Sequence, residues 1–438
     1  MKLATQLADR PDGSLPDQTE TWGDCKAAYR LFDQADVSFQ AIIEPHCRQT
    51  REACEPGDVK LIINDTTEYD YTSLRTAKGL GPIGNGHCRG FFVHSALMLD
   101  DQSHRVEGLA AQEVFYRKVR KGSKKPKVAR NSVRRRPDRE SAVWGRVIDR
   151  VGRPPEGVLW IHVCDRGADD IEVMWRVVHN GCGFVIRASR LKRKIIARDG
   201  RKLSLDEYLA ELPTHGTRDV SVPATTTTLA RTATVTLRYG EVLIPLGVLT
   251  PWLKEHRPTE PLCAGVVELL ETNPPKGVKP IRWVLYTESP VRSKAQGNQA
   301  IERYEQRPQI EDYHKAVKTG CGVELRQLKT ADRLERAAAL SSVVAVRLMQ
   351  LKTAAKETPD HPARELVPLR WIELLQITRH LPYNAEISIR DFMRQLAGLG
   401  GFLCRKGDGE PGWITIWRGF EKFRLILRGA DAQRKRSG

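Results

Sequence analysis

Two familiar chemistries have no motif in this 438-residue chain. It contains no phosphate loop of the Gly-x4-Gly-Lys-Ser/Thr kind, no Gly-x-Gly-x-x-Gly directly after a strand and no Gly-x-Ser-x-Gly. Nucleotide hydrolysis and serine-hydrolase chemistry are therefore unsupported. The nine cysteines are scattered, odd in number and free of any Cys-x-x-Cys pair, which argues against a disulfide framework and a structural zinc site. They read as reduced thiols, several of them in cores. No uncharged apolar run approaches the roughly 18 residues of a membrane span, and the opening Met1 to Asp9 lacks the apolar stretch of a signal peptide. The expectation is a soluble, intracellular protein without a membrane partner.

What the chain has is positive charge. Lys+Arg 71 against Asp+Glu 54 leaves +17, a balance that attracts polyanions, nucleic acid first among them. Two segments carry nearly all of it. Arg117 to Arg139 holds twelve basic residues and one acid, and Arg405 to Gly438 holds nine and four. Such runs are either solvated flexible stretches or phosphate contacts. The first fifty residues, by contrast, are net acidic.

At 40% hydrophobic content the length suits about three domains. Residues 1–54 read as a helical region of short patches broken by the Pro/Gly/Asp stretch at Asp9 to Asp17. From Val59 the texture turns to strands: Leu61 to Asn64, then Phe91 to Leu99 and Val106 to Tyr116, a three-strand meander. Val158 to Cys164 is a nearly unbroken apolar run that ends at Asp165, as expected of a central strand buried on both faces. A helix over Asp169 to His179 follows. Residues 184–290 are Thr/Val-rich and read as a β-rich insertion, after which helices dominate. Ala337 to Val346 is apolar all round and must be a buried helix. In the last helix Trp413, Trp417, Phe420, Phe423 and Leu427 form one stripe, which suits core packing or, in a basic terminal helix, a dimer contact.

Carboxylates stand at the ends of two apolar strands, Asp65 after the first and Asp165 after the later buried one. If those strands are neighbours, both project from one edge region. An Asp after a strand is most often a turn former. The segment Ile301 to Lys318 adds a pattern with more information, Tyr-x2-Arg-x3-Glu-x6-Lys, at Tyr304, Arg307, Glu311 and Lys318. Pro308 cannot lie inside a helix running on from Tyr304 but suits the first position of a new one. Glu311 would then lie in that helix's first turn, with His314, Lys315 and Lys318 on its face. The plain alternative is a Glu-Lys pair on a solvated helix.

With these residues the chain resembles the bacterial DDE transposases of the insertion-sequence-four family, transposon-five type, whose Y-R-E-K signature matches Tyr304, Arg307, Glu311 and Lys318. Flanking segments resemble the family too: Asp65-Thr66-Thr67, Phe92-Val93-His94-Ser95, Val163-Cys164-Asp165-Arg166, Asn273 to Gly277, and Val343 to Leu351. The resemblance implies an α/β fold with a ribonuclease-H-like catalytic core over residues 55–183 and 291–357, the β-rich insertion between them, and a helical dimerisation region at 358–438. It implies metal-dependent strand cleavage and strand transfer at terminal inverted repeats. Asp65, Asp165 and Glu311 would be the catalytic metal ligands for two Mg²⁺ (or Mn²⁺) ions. Tyr304, Arg307, Lys318, Lys315, His314 and Arg30 would meet DNA. Trp283 would stack on a base flipped from the transposon end, with Arg282 and Arg190 to Lys194 on phosphates nearby. The partners it implies are transposon-end and target double-stranded DNA, held by a homodimer in a synaptic complex, in the bacterial cytoplasm at the nucleoid.

The chain departs from the family at its start. Family members usually have a further basic helical segment of about 35 residues that reads the transposon end. Here the opening is acidic, and only Ala27-Ala28-Tyr29-Arg30 and the following helix resemble the latter part of that region. A rival reading follows: an N-terminally truncated, non-enzymatic inhibitor that forms mixed dimers with a full-length transposase. A third is another nuclease of ribonuclease-H-like fold, which would cleave unrelated DNA or RNA at similar rates.

Overall fold

The computed structural model describes residues 3, 6–7, 13–117, 136, 139–222, 230–405 and 407–437. Most of the basic run between Arg117 and Arg139, and the start of the Thr-rich stretch from Thr225, lie outside the described residues. The strands are β1 (Val59–Asp70), β2 (Gly81–Ile83), β3 (Cys88–Asp100), β4 (Val106–Phe115), β5 (Leu159–Cys164) and β6 (Gly183–Arg187). After them come β7 (Lys194–Ala197), β8 (Lys202–Ser204), β9 (Thr217–Val222), β10 (Arg231–Ile244), β11 (Leu262–Glu271) and β12 (Arg282–Thr287). All belong to one mixed sheet in the order β2-β3-β1-β5-β6-β12-β11-β10-β7-β8, with β4 added on β3 and β9 on β10.

The order follows from which strands the sequence makes apolar on both faces. β1 pairs antiparallel with β3 and parallel with β5, and β6 pairs parallel with β5. Parallel neighbours need a crossover, supplied here by α4 (Ala142–Val151) before β5 and α5 (Ile171–His179) before β6. The strands of the 184–290 stretch do not form a separate body. β12 pairs antiparallel with β6, so that stretch extends the central sheet.

Helices cover both faces, the short ones being α1 (Leu15–Gln18), α6 (Leu205–Glu211) and α7 (Pro251–His256). Alternation along β1 sends Leu61 and Ile63 to one side and Ile62 to the other. The first side packs against α2 (Trp22–Asp33), α3 (Phe39–Glu52), α8 (Lys294–Glu305), α9 (Pro308–Lys315) and α10 (Ala331–Glu357), burying Phe32, Ile43, Ile310, Tyr313 and Leu334. The second packs against α4 and α5 through Trp144, Val147, Val173 and Met174. The Ala337 to Val346 segment is buried within α10 as its composition requires. A third cluster joins the end of α10 to α11 (Leu369–Thr378), α12 (Ile389–Leu399) and α13 (Trp413–Ser437). Trp417, Phe420 and Phe423 lie in that cluster, so the stripe is core packing inside this chain. Free from it, Leu425 points to solvent. Among the described residues no helix is long and apolar enough to cross a membrane, and the cysteines are all free thiols.

Candidate active site

Asp65 lies inside β1, not after it. The strand continues to Asp70 because β3 goes on pairing with it as far as Gly90, whereas the parallel neighbour β5 stops at Cys164, opposite Asn64. The Asp65 carboxylate therefore stands where one side of β1 loses its neighbour. Asp165 ends β5 by capping the short turn Arg166–Ala168, accepting the Gly167 N–H at 2.6 Å. Glu311 comes from α9, which starts at Pro308 after a break from α8, as the proline requires, and Glu311 falls in its first turn.

These three carboxylates share one cation. The Arg307 guanidinium is 2.8 Å from Asp65 and 3.8 Å from Asp165, and it pairs with Glu311 one helical turn on. Three strand- and helix-borne acids thus converge on a single, mostly buried arginine. Burial works against the Arg307 charge, but Asp65, Glu311 and Asp165 more than offset it and hold its pKa up. Asp65 shows the opposite balance. Burial lifts it, Arg307 and the Thr66 N–H at 2.8 Å pull it down, and Asp165 and Glu311 push it up again, leaving it at about 6. Among the described residues no three such side chains close around a point as metal ligands do, with the guanidinium standing between the acids.

Around this centre the site is aromatic and basic. Tyr304 is buried, with its ring edge-to-face against Trp283 on β12 at 5.3 Å. Arg187, the last residue of β6, lies 5.8 Å from the Trp283 ring and 5.9 Å from the Tyr304 ring. Sequence reasoning passed over Arg187. The signal was an arginine closing the apolar run Phe184-Val185-Ile186, at the same strand end as Asp165.

Several residues expected on DNA have other partners. His314 is buried in α9, and desolvation, with Lys318 and Arg307 nearby, lowers it to about 3, so its imidazole is neutral and faces the core. Lys318 falls in a π-turn, Ala316–Gly320, and pairs with Glu324 at 3.4 Å. Lys315 stays exposed beside Asp312. Within the basic run from Arg190, Arg193 is turned inward to the buried Asp169 at 2.5 Å. Arg282 is held by Glu268 at 2.8 Å and Asp206 at 2.6 Å. Each of the two arginines is neutralised by an acid supplied from another element, which composition along the chain does not reveal. Arg30 is exposed in the last turn of α2.

Family models match the chain at both ends. Residues 1–37 match the transposase DNA-binding family, and residues 343–438 match the transposase Tn5 dimerisation domain. Together the two matches support a Tn5-type transposase. The dimerisation match takes in the end of α10 and the whole α11–α13 cluster. The DNA-binding match includes α2, where Trp22 is exposed with the Lys26 ammonium 5.4 Å from its ring. DNA and a second subunit are the partners that these two regions support. Among solved structures, a cryo-EM structure of the piggyBac transposase synaptic complex with hairpin DNA is similar over 96% of this chain and 74% of that chain, at 10% identity and a TM-score of 0.36.

Proposed function

We propose that this transposase excises and inserts a DNA element by metal-dependent cut-and-paste chemistry, with Asp65, Asp165 and Glu311 as the catalytic carboxylates. One observation carries the reading: acids from β1, from the turn after β5 and from α9 all reach the Arg307 guanidinium. Three carboxylates face one arginine, and Asp65 is raised first by burial, with Asp165 and Glu311 adding to it. Hard oxygen donors in that number suit Mg²⁺ or Mn²⁺. Asp65, Asp165 and Glu311 would hold two such ions, which when bound stabilise charge on the phosphoryl oxygens and acidify the attacking water or 3′-hydroxyl.

The chain's own groups do the positioning. Arg307 is already at the carboxylates and would hand its charge to the scissile phosphate as the acids take up metal. Arg187, Trp283 and Tyr304 form a cation–aromatic cluster beside it. Such a cluster suits a phosphate together with a base turned out of the duplex. The exposed Lys315 would meet the backbone. The antiparallel run β4-β3-β1 followed by the parallel β5 and β6 supports a ribonuclease-H-like core, with β7 to β12 as the insertion that extends its sheet. The C-terminal cluster would pair two subunits in a synaptic complex with transposon-end and target DNA, in the bacterial cytoplasm.

The test is cleavage of DNA carrying the inverted repeats that flank this reading frame, in Mg²⁺ or Mn²⁺. Release of 3′-hydroxyl ends by the unaltered chain and its loss in Asp165→Asn is the expected result. If Asp165→Asn still releases ends, the assignment is wrong.

A further inference from the structure

The Phe92-Val93-His94-Ser95 segment has no part in the chemistry above, yet His94 is fully buried behind it. Residue alternation puts Asp65 on one face of β1 and its neighbours Asn64 and Thr66 on the other. His94 lies opposite Thr66 in the β1–β3 ladder, and its Nδ1 is 2.7 Å from the Thr66 hydroxyl. Thr66 in turn donates its backbone N–H to Asp65 Oδ1 at 2.8 Å. The imidazole is thus one residue removed from the carboxylate, through the amide that holds it.

The same histidine reaches the other aspartate by packing. Trp144, from α4, meets the His94 ring edge-to-face at 4.6 Å. Its six-membered ring closes on Gly167, where an added Cβ would lie 2.8 Å from Trp144 and 3.0 Å from Asp165 Oδ1. Gly167 supplies the backbone N–H that Asp165 accepts. Each aspartate therefore takes a backbone amide from a residue that the His94–Trp144 pair backs.

We infer that His94 and Trp144 are positioning residues, a shared backing that sets both aspartates for metal binding by holding the Thr66 and Gly167 amides in place. Neither touches the reacting atoms. Ordinary core packing accounts for the burial of an aromatic pair, but not for its ending at the two amides that the two aspartates use. The inference rests on the metal-ligand reading of Asp65 and Asp165. Partners one layer behind metal ligands are worth about 10- to 100-fold in metal affinity.

Mn²⁺ binding to the full chain, followed by calorimetry or by loss of the free-ion electron paramagnetic resonance signal, tests this without DNA. Thr66→Val keeps the side chain's shape and removes the hydroxyl; Thr66→Ser keeps the hydroxyl. Thr66→Val is expected to weaken Mn²⁺ binding about 10-fold or more with its unfolding transition little moved, and Thr66→Ser to stay within about twofold of the unaltered chain. Equal binding by Thr66→Val and the unaltered chain overturns the inference and leaves the metal site standing, as does a Thr66→Ser variant as weak as Thr66→Val. No Mn²⁺ binding by the unaltered chain overturns both readings. Should Thr66→Val fail to fold, Trp144→Phe puts the question from the Asp165 side: a loss of 10-fold or more supports the backing, and unchanged binding overturns it.

Discussion

Strand β1 meets one cation among three acids twice, at its start and at its middle, and the two clusters have settled in opposite ways. At the start, the Lys60 ammonium is buried among Asp58 at 3.2 Å, Asp100 at 3.2 Å and Glu107 at 2.8 Å. Burial opposes its charge, but Glu107, Asp58 and Asp100 overcome that and raise its pKa. Asp100 loses solvation too, yet the Ser103 amide and hydroxyl together with Lys60 bring it down to about 2. The Asp58 carboxylate is lowered chiefly by the Glu55 N–H. At the middle of the strand Arg307 faces Asp65, Asp165 and Glu311, and there burial lifts Asp65 to about 6. The difference lies in backbone donors as well as in burial. Asp100 accepts amides from Gln102 and Ser103 besides its lysine, whereas Asp65 has the Thr66 amide and a guanidinium shared three ways. Both clusters set one cation against three acids; in the first, backbone donors hold Asp100 down, and in the second, burial leaves Asp65 raised.

Neutralising single members breaks the comparison most sharply. Asp165→Asn should lower end cleavage by roughly a thousandfold or more, several kcal/mol of transition-state stabilisation, while Asp58→Asn should leave the rate per folded molecule unchanged. A gel-based cleavage assay on both variants decides it. Next in size is the loss of the cations. Lys60→Met strands three carboxylates around a buried position and should cost about 3–5 kcal/mol in a denaturant titration, with no relief from Mn²⁺. Arg307→Met should also destabilise the fold, but added Mn²⁺ should recover much of the loss, because binding to the native state alone stabilises it. Equal behaviour of the two variants with Mn²⁺ would show that the two clusters do not differ in kind.

The pH dependence separates them more finely. Asp65 has a folded pKa above its unfolded value, so between about pH 6 and pH 4 the native state holds more protons than the unfolded one. Its contribution to stability therefore rises as pH falls through that window, by at most about 1.4 kcal/mol per pH unit. Asp100 has the opposite sign: its contribution is present above the unfolded value near 4 and is lost as pH falls toward 2. Asp65→Asn should remove the first slope and spare the second in denaturant titrations across pH. Smallest is the exposed cation at the rim. Lys315→Ala should reduce the slope of log affinity for DNA against log salt by about 0.9 and leave folding stability within about 0.5 kcal/mol.

Much of the core was legible in the chain. Val158 to Cys164 had to be a central strand because it is apolar on both faces, and Pro308 had to restart a helix, which put Glu311 in a first turn. The misreadings share a cause. Asp65 was expected beyond its strand, because nothing local shows that β3 goes on pairing after β5 has stopped. His314 shares a helix with Lys315, but its direction depends on which side of α9 meets the sheet. Arg193 and Arg282 look like free cations until Asp169, Glu268 and Asp206 arrive from other elements. The Trp417–Phe420–Phe423 stripe was ambiguous between core and interface until α11 and α12 covered it.

The sequence by itself determined the residue types of the site, the period of each strand, the helix break at Pro308 and the surplus of positive charge, since these are properties of neighbours in the chain. The tertiary structure alone decided that residues 65, 165 and 311 share one guanidinium, that Arg187 joins Trp283 and Tyr304, and that two similar charge clusters on one strand end with opposite balances. Burial and Coulomb interactions act through space, and which groups they join is fixed only when separate strands and helices have packed.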